Sequence, residues 1–270
     1  MDDQTGRWRE LNQASWDERV HVHLRGPFYD VAGFRDGRDS LKDFEKVEVG
    51  DVTGKRLLHL QCHFGLDTLS WAARGARAVG LDFSPAAIEA ATGLAAELHL
   101  DARFVTADVY HAVAAMAGQT FDIVYTGFGA LNWLPDLPRW AGLVAELLDH
   151  GGFLYLAEFH PFSFILDDQT GRTVTHDYFD EGPHLSGGSG TYADETAVTE
   201  HNVTIEWEHM LGSVVSAIAA AGLCIEFLHE HDHTFYLQRQ SLQRDPGEIY
   251  RHPAAAPRYP LTYSLRARKP

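Results

Sequence analysis

Positive charge is scarce in this chain: 22 Lys and Arg stand against 38 Asp and Glu, a formal net charge of −16 over 270 residues. Phosphate backbones are gripped by basic faces, so this balance argues against a nucleic-acid partner. Cysteine is scarcer still. Cys62 and Cys224 are the whole complement. Both fall in predicted buried strands, as expected for reduced core thiols in a cytoplasmic protein. No apolar run approaches the ~20 residues that a membrane span requires. The opening stretch MDDQTGRWRE is polar and acidic, with none of the features of a secretory signal. Repeats, low-complexity tracts and domain-splitting linkers are absent too, so residues 1–270 read as a single domain around one sizeable core. Three fingerprints are also missing. There is no Gly-x-Gly-x-x-Gly, no Tyr four residues before any of Lys42, Lys46, Lys55 or Lys269, and no Gly-x-Ser-x-Gly. Dinucleotide-dependent oxidoreductases and the simplest hydrolases are thereby disfavoured.

What is present is concentrated between Lys55 and Pro85, KRLLHLQCHFGLDTLSWAARGARAVGLDFSP. Leu57, Leu58, Leu60 and Cys62 form a short apolar run that predicts a buried strand. Gly65 supplies a turn, and Leu66, Leu69, Ala72 and Ala73 recur at helical spacing up to Gly75. The run Ala78-Val79-Gly80-Leu81 predicts a second strand, which stops on Asp82. Ser84-Pro85 is a helix-opening pair. Strand, turn, helix and strand with a terminal acid make a unit suited to a nucleoside-containing cofactor, the acid taking the ribose hydroxyls.

Before this unit, Arg7 to Leu24 predicts an amphipathic helix interrupted at Asn12, and Arg25 to Asp51 a loop-rich stretch with one short helix. Residues 1–52 are thus expected to form a helical lid. Trp16 and Tyr29 are placed either over the cofactor or simply against the sheet. After the unit, Arg103 to Ala107, Phe121 to Tyr125 and Phe153 to Ala157 predict three further strands, and Asp136 opens another helix. Strands alternating with helices predict an α/β, doubly wound parallel sheet, with ligands at the carboxyl ends of its strands. The pattern then fails over an insertion of about residues 161–205 that is expected near the same edge. A helix from Trp207 to Gly222 and strands at Leu223 to Phe227 and Leu261 to Leu265 finish the chain.

The order of these segments resembles that of the class I S-adenosylmethionine-dependent methyltransferases, well from Thr53 to Glu158 and loosely beyond. The resemblance implies a Rossmann-like seven-stranded sheet, mostly parallel, whose last strand is antiparallel, and S-adenosyl-L-methionine as cofactor. It places Gly65 where backbone approaches the cofactor, Asp82 at the ribose hydroxyls, Asp108 at the adenine amino group, and Thr126 and Gly127 under the methionine moiety, with Phe83, Ser84 and Val109 as further cofactor contacts. Thr68, in the turn-to-helix segment, joins this set. The first motif of the family usually reads Gly-x-Gly-x-Gly after an acidic position. Here Gln61 and His63 replace its first two glycines and only Gly65 survives. Side chains at these positions would either contact the cofactor or shift the pocket.

The implied activity is methyl transfer to an oxygen or nitrogen of a small-molecule acceptor. The Asn-Pro-Pro-Tyr motif of DNA amine methyltransferases is absent from the loop Gly127 to Trp133. His160, beside Glu158 at the end of the fifth strand, is the candidate base; the alternative is a histidine that only bonds backbone. His176, Asp177, Tyr178 and Tyr192 are candidates for the acceptor pocket. His229, His231 and His233 would share one face of an extended strand and could ligate a metal, but no metal is expected at the cofactor site. His21 and His23 stand two apart on a helix and are poor partners for one another. Two other readings stay open: a cofactor-binding protein without transferase activity, and a metal-dependent enzyme built on the histidine cluster. Oligomeric state is not readable.

Overall fold

The order of elements follows from where apolar runs meet glycine, proline and acid. In the computed structural model, residues 4–246 and 249–270 are described; residues 1–3 of the polar opening lie outside that set. Helix α1 (Gln4–Arg25) leads, followed by α2 (Val31–Arg35) and α3 (Asp43–Val49) where one short helix was expected. The central unit is β1 (Arg56–Leu60), α4 (Leu66–Ala73), β2 (Arg77–Asp82), α5 (Pro85–Glu97) and β3 (Ala102–Thr106). Helix α6 (Ala112–Ala115), β4 (Phe121–Thr126), α7 (Leu137–Leu147) and β5 (Leu148–Phe159) continue it. The insertion holds α8 (Pro161–Phe164) and the antiparallel pair β6 (His184–Ser186) and β7 (Thr204–Glu206). Helix α9 (Leu211–Ala220), β8 (Cys224–His231), β9 (His233–Thr234), β10 (Gln243–Asp245), β11 (Ile249–Arg251) and β12 (Thr262–Arg268) close the chain.

Seven strands form one sheet in the order β3-β2-β1-β4-β5-β12-β8. Strands β1 to β5 are mutually parallel, while β12 runs antiparallel to both β5 and β8. The doubly wound plan and the antiparallel final strand are as expected. Strand order reverses between β1 and β4, so loops at their carboxyl ends diverge and leave a crevice.

Side-chain alternation splits the strands between two cores. Leu58, Leu60, Val124, Leu154 and Leu156 join Trp140 and Val144 of α7 and Val214 and Ile218 of α9. Leu57, Ile123, Tyr125 and Tyr155 instead meet Trp71 of α4 and Val49 of α3. Each fully buried leucine contributes about 1.5–3 kcal/mol relative to exposure. Helix α5 is capped as its sequence predicts: Ser84 Oγ accepts from Ala87 N at 3.1 Å, with Pro85 in the first turn.

Three expectations are corrected. Asn12 does not interrupt α1; it is buried, and its amide exchanges two 2.8 Å hydrogen bonds with the Ile205 backbone, fixing α1 to β7. Trp207 precedes α9 rather than starting it, and packs edge-on to Trp8 at 5.4 Å. Cys62 is buried but Cys224 is exposed, because the first residue of edge strand β8 lies outside the core. A small sheet, β10-β11-β9, fills the stretch between β8 and β12, for which the sequence predicts no element. Among the described residues, no helix is long and apolar enough to cross a membrane.

Candidate active site

The loop after β1 turns in an unusual way. Gln61, His63 and Gly65 all take left-handed backbone conformations, with φ of 56°, 50° and 82°. A left-handed conformation costs a residue with a Cβ roughly 1–2 kcal/mol, and such strain persists only where neighbours hold it. Those neighbours are visible. Cys62 N donates to Leu81 O at 3.0 Å, His63 N to Asp82 Oδ2 at 2.8 Å, and Gln61 Nε2 to Ala130 O at 2.8 Å. Gly65 is needed for packing as well as for φ: a Cβ there would lie 2.7 Å from the Phe104 ring and 3.0 Å from Ala91 Cβ.

The acids at the strand ends are equally engaged. Asp82 accepts from His63 N and, at 2.9 Å, from Ser84 N. Burial pushes its carboxyl up to about 6, against the opposite pull of these N–H groups. Asp108 accepts from Tyr110 N at 2.7 Å and pairs with Arg9 of α1. Helix α1 continues along the same line. Gln13 Nε2 donates to Phe83 O at 2.7 Å, and Asp17 receives the Ser84 hydroxyl. Arg9, Gln13 and Asp17 stand four apart and so share one face. That face covers the ends of β2 and β3.

Beyond β4 the crevice opens into a cavity of about 910 Å³. The loop Gly129 to Leu131 on its wall is pinned by one side chain. Glu158, at the end of β5, accepts from Gly129, Ala130, Leu131 and Phe159 N at 2.7–2.9 Å. Burial raises its carboxyl pKa, and the four N–H donors oppose that rise. Asp67, in the first turn of α4, takes the Ser40 hydroxyl at 2.6 Å, and its Oδ2 lies 3.6 Å from where a Gly127 Cβ would be. Arg19, Trp133, Asn132, Glu206 and Glu208 line the far part. Among the described residues Glu208 makes no side-chain hydrogen bond or ion pair; burial, with Glu206 and Glu158 nearby, pushes its carboxyl up to about 7 against the pull of His184. Two buried acceptors in the cavity wall, Gln61 Oε1 and Asn132 Oδ1, also lack a partner.

The sequence profile of the methyltransferase-domain family matches residues 57–152, from β1 into β5. The chain as a whole has the class I S-adenosylmethionine-dependent methyltransferase fold. It resembles an S-adenosylmethionine-dependent methyltransferase from Mesorhizobium loti, with 22% identity, TM-score 0.59, and coverage of 87% of this chain and 99% of that one. Magnesium protoporphyrin IX methyltransferase from Synechocystis PCC 6803 with bound SAH is 18% identical over 100% of both chains, with TM-score 0.58. A glycopeptide N-methyltransferase complexed with S-adenosyl-L-methionine is 16% identical, covers 84% of this chain and 92% of that one, and has TM-score 0.54. No curated protein matches the sequence.

Set on this methyltransferase fold, the residues singled out in the sequence divide in two. Gln61, His63, Gly65, Gly127, Trp16, Tyr29 and Tyr192 line the cavity. Asp82, Phe83, Ser84 and Asp108 do not; they lie against α1 instead. Val109 is buried in the apolar core. Thr68 is buried too, its hydroxyl 2.9 Å from His59 Nδ1. Thr126 Oγ1 is buried with no partner. His160 lies outside the cavity wall. Its Nδ1 accepts from Phe162 N as the cap of α8 and its Nε2 is 2.9 Å from Glu230, so both ring nitrogens are taken and neither is free to receive a proton from an acceptor. His176 and Asp177 are exposed, and Tyr178 meets Leu211 N.

The histidines are redistributed. His23 is a poor partner for His21 but a close one for His63, with Nδ1 and Nε2 2.9 Å apart. Burial pushes His23 down to about 3 and His63 well below its ordinary value. His229 bonds Glu48 at 2.6 Å and His231 bonds Ser264 at 3.1 Å, while His233 belongs to the next strand, beside Asp232 and Arg251. Among the described residues no three His, Cys, Asp or Glu side chains converge as a metal site.

Arg19, Asp67, Glu206 and Glu208 were not anticipated. Arg19 lies one turn beyond Trp16, and Glu206 and Glu208 flank Trp207 at strand spacing. These are weak signals, since neither names a chemistry.

Proposed function

We propose that this methyltransferase moves the methyl group of S-adenosylmethionine to an oxygen or nitrogen of a small-molecule acceptor by in-line displacement. The observation that carries the reading is the loop at residues 61, 63 and 65. It keeps left-handed backbone at each of the family's glycine positions although two are no longer glycine, and it is tied through His63 N to the acid at the end of β2. Left-handed backbone is what glycine adopts most readily, which supports a cofactor loop of the family's kind at these positions.

When bound, the cofactor supplies an electrophilic methyl carbon on positively charged sulfur; the acceptor's lone pair forms the new bond as the carbon–sulfur pair withdraws onto sulfur. Within the chain, Gln61, Asp67 and Gly127 would hold the methionine end, with the orphaned Gln61 Oε1 free to accept a hydrogen bond there. Asp82 and Ser84 would hold the ribose, and Asp108 with Phe83 and Val109 the adenine, once Arg9, Gln13 and Asp17 exchange their contacts. Residues 1–52 therefore act as a lid and residues 161–205 as a wall of the acceptor site. Glu158 fixes the loop that shapes that wall, and positioning alone can supply a large part of the rate in a displacement of this kind. Glu208, unpaired in the cavity wall with its carboxyl near neutrality, takes the acceptor's proton in place of His160.

A small-molecule acceptor agrees with the net charge of −16 and with a cavity of about 910 Å³, which is in the range of ligand pockets. Solved structures with this fold include methyltransferases of magnesium protoporphyrin IX and of a glycopeptide. Calorimetric titration with S-adenosylmethionine and its demethylated product, with NAD as control, tests the reading. Binding of the first two, none of NAD, and loss of binding in Asp82→Ala are expected. Unchanged binding in that variant would place the cofactor elsewhere.

A further inference from the structure

Arg19 is the odd cation of the cavity. Its guanidinium carbon sits 5.2 Å from the Trp16 ring centroid and 5.7 Å from that of Trp133, and the two indoles meet edge to face at 84°. It is half-buried, and burial lowers its pKa from the ordinary arginine value. Among the described residues no carboxylate lies within ion-pairing distance of it and no hydrogen bond engages it. That is unusual in a chain with 38 acids, where Arg9, Arg38, Arg56, Arg251 and Arg266 all have acidic partners. The nearest candidate, Glu206, is diverted. Its Oε2 accepts from Asn132 Nδ2 at 3.0 Å and its Oε1 from Thr204 Oγ1 at 3.1 Å.

Stacking on aromatic faces holds a guanidinium by its flat side and leaves its in-plane N–H donors unused. Those donors match a carboxylate, which they take in bidentate fashion. The charged and polar groups whose fields act on Arg19 are Tyr192, Glu206 and Tyr29, from the insertion and the lid, and Trp133 belongs to the loop that walls the acceptor space. None of them is at the ends of β2 or β3, where the adenosine half of the cofactor is expected. Of the other cations lining the cavity, Arg38 pairs with Asp30 and Lys42 sits over the Phe235 ring, while the field of Glu206 acts on Arg19; one guanidinium beside an acid suits a monoanion better than a dianionic phosphate.

We propose that Arg19 anchors a carboxylate carried by the methyl acceptor, whose flat or aromatic body packs on Trp16, Trp133 and Tyr192. The acceptor class is thus a small aromatic or unsaturated carboxylic acid. This assignment rests on the methyltransferase reading for its purpose, but the anion site can be tested separately. Calorimetry on the full chain saturated with the demethylated cofactor would compare benzoate with benzamide and phenyl phosphate, in wild type, Arg19→Gln and Arg19→Lys, each checked for folding by thermal melting. Benzoate should bind at least tenfold more tightly than benzamide or phenyl phosphate. Arg19→Gln should lose that margin and Arg19→Lys recover part of it, with cofactor affinity changed less than threefold.

Equal binding of benzoate and benzamide, or no binding of either, overturns the proposal. So does a tenfold loss of cofactor affinity in Arg19→Gln with benzoate binding intact, since Arg19 would then serve the cofactor's own carboxylate. A wild-type chain that binds no cofactor counts against the methyltransferase reading, and the benzoate and benzamide comparison on the same protein still decides the role of Arg19.

Discussion

The two sides of the crevice are built on opposite principles. At the strand ends, the carboxylates Asp82, Asp108 and Glu158 all accept backbone N–H donors, and α1 adds Arg9 and Asp17 on top. Across the cavity, Arg19 and Glu208 have no hydrogen-bond or ion-pair partner among the described residues, and one amide oxygen each of Gln61 and Asn132 has none there either. An unmet polar group in a half-buried wall is tolerated only at a cost of about 1–3 kcal/mol, so it marks where a ligand's groups are to be met. The satisfied side sets shape and the unsatisfied side sets chemistry.

The sharpest break of this contrast is at Glu158. Glu158→Ala would leave four N–H groups, three of them on one cavity loop, without their acceptor. A loss of about 3–5 kcal/mol in urea denaturation is expected, from the penalty per buried unpaired group. Glu158→Gln keeps one acceptor oxygen and should lose about half as much. A loss under about 1 kcal/mol in Glu158→Ala would mean that the loop holds itself, since surface substitutions commonly cost no more than that.

Gly65 comes next. A methyl at φ of 82°, 2.7 Å from Phe104, combines left-handed strain with overpacking. Gly65→Ala should cost about 2–4 kcal/mol, and Phe104→Leu in the same chain should recover part of that by making room. If the double variant is no more stable than Gly65→Ala, the cost is one of backbone conformation alone.

The interior histidines give the third prediction. Burial pushes His59 down to about 4 and His23 to about 3, so both stay neutral in the folded chain where an unfolded chain, titrating near 6.5, is charged. Their contribution is whole above pH 6.5 and is lost as the pH falls toward 4 and 3. Asp82 has the opposite sign. Its raised value means that it disfavours folding as pH rises from 3.8 to about 6, and it partly offsets the histidines on acidification. Denaturation at pH 7 and pH 5 should therefore show His59→Gln losing about 1–2 kcal/mol less than wild type over that interval. Equal losses would show that His59 already carries a proton at pH 5.

The sheet was legible because its strands are apolar runs bounded by Gly65, Asp82, Asp108 and Gly151-Gly152, and such punctuation is local. Gln61 and His63 were legible as departures from a motif, although their left-handed φ depends on Asp82 and Ala130, far away in the chain. His160 was misleading for a related reason. Its position at a strand end is a local property, whereas the engagement of both its nitrogens, one of them by Glu230, is not. Arg19 and Glu208 were invisible because being unpaired is a property of three dimensions. Any arginine in so acidic a chain reads as paired until the coordinates place Glu206 with Asn132 and Thr204.

The smallest effect sharpens the contrast most. Glu208→Gln removes a carboxyl that the fold leaves unengaged, so no hydrogen bond is lost and loss of stability is not expected. The sign runs the other way. With a folded value pushed up to about 7 by burial and an ordinary value of 4.5, ionised Glu208 disfavours the folded chain at high pH and does so hardly at all below pH 4. Glu208→Gln should match wild type near pH 4 and exceed it by about 0.5–1 kcal/mol at pH 8, the ion's remaining hydration at this half-buried site keeping the gain small. Carbon-13 NMR of labelled glutamate carboxyls supplies the direct reading, as one resonance with a midpoint near 7 should disappear in the variant. A midpoint near 4.5 would return Glu208 to the ordinary surface acids and leave the acceptor's proton to water. The cavity would then act by orientation, with Arg19 still without a carboxylate partner among the described residues and open to an anionic substrate.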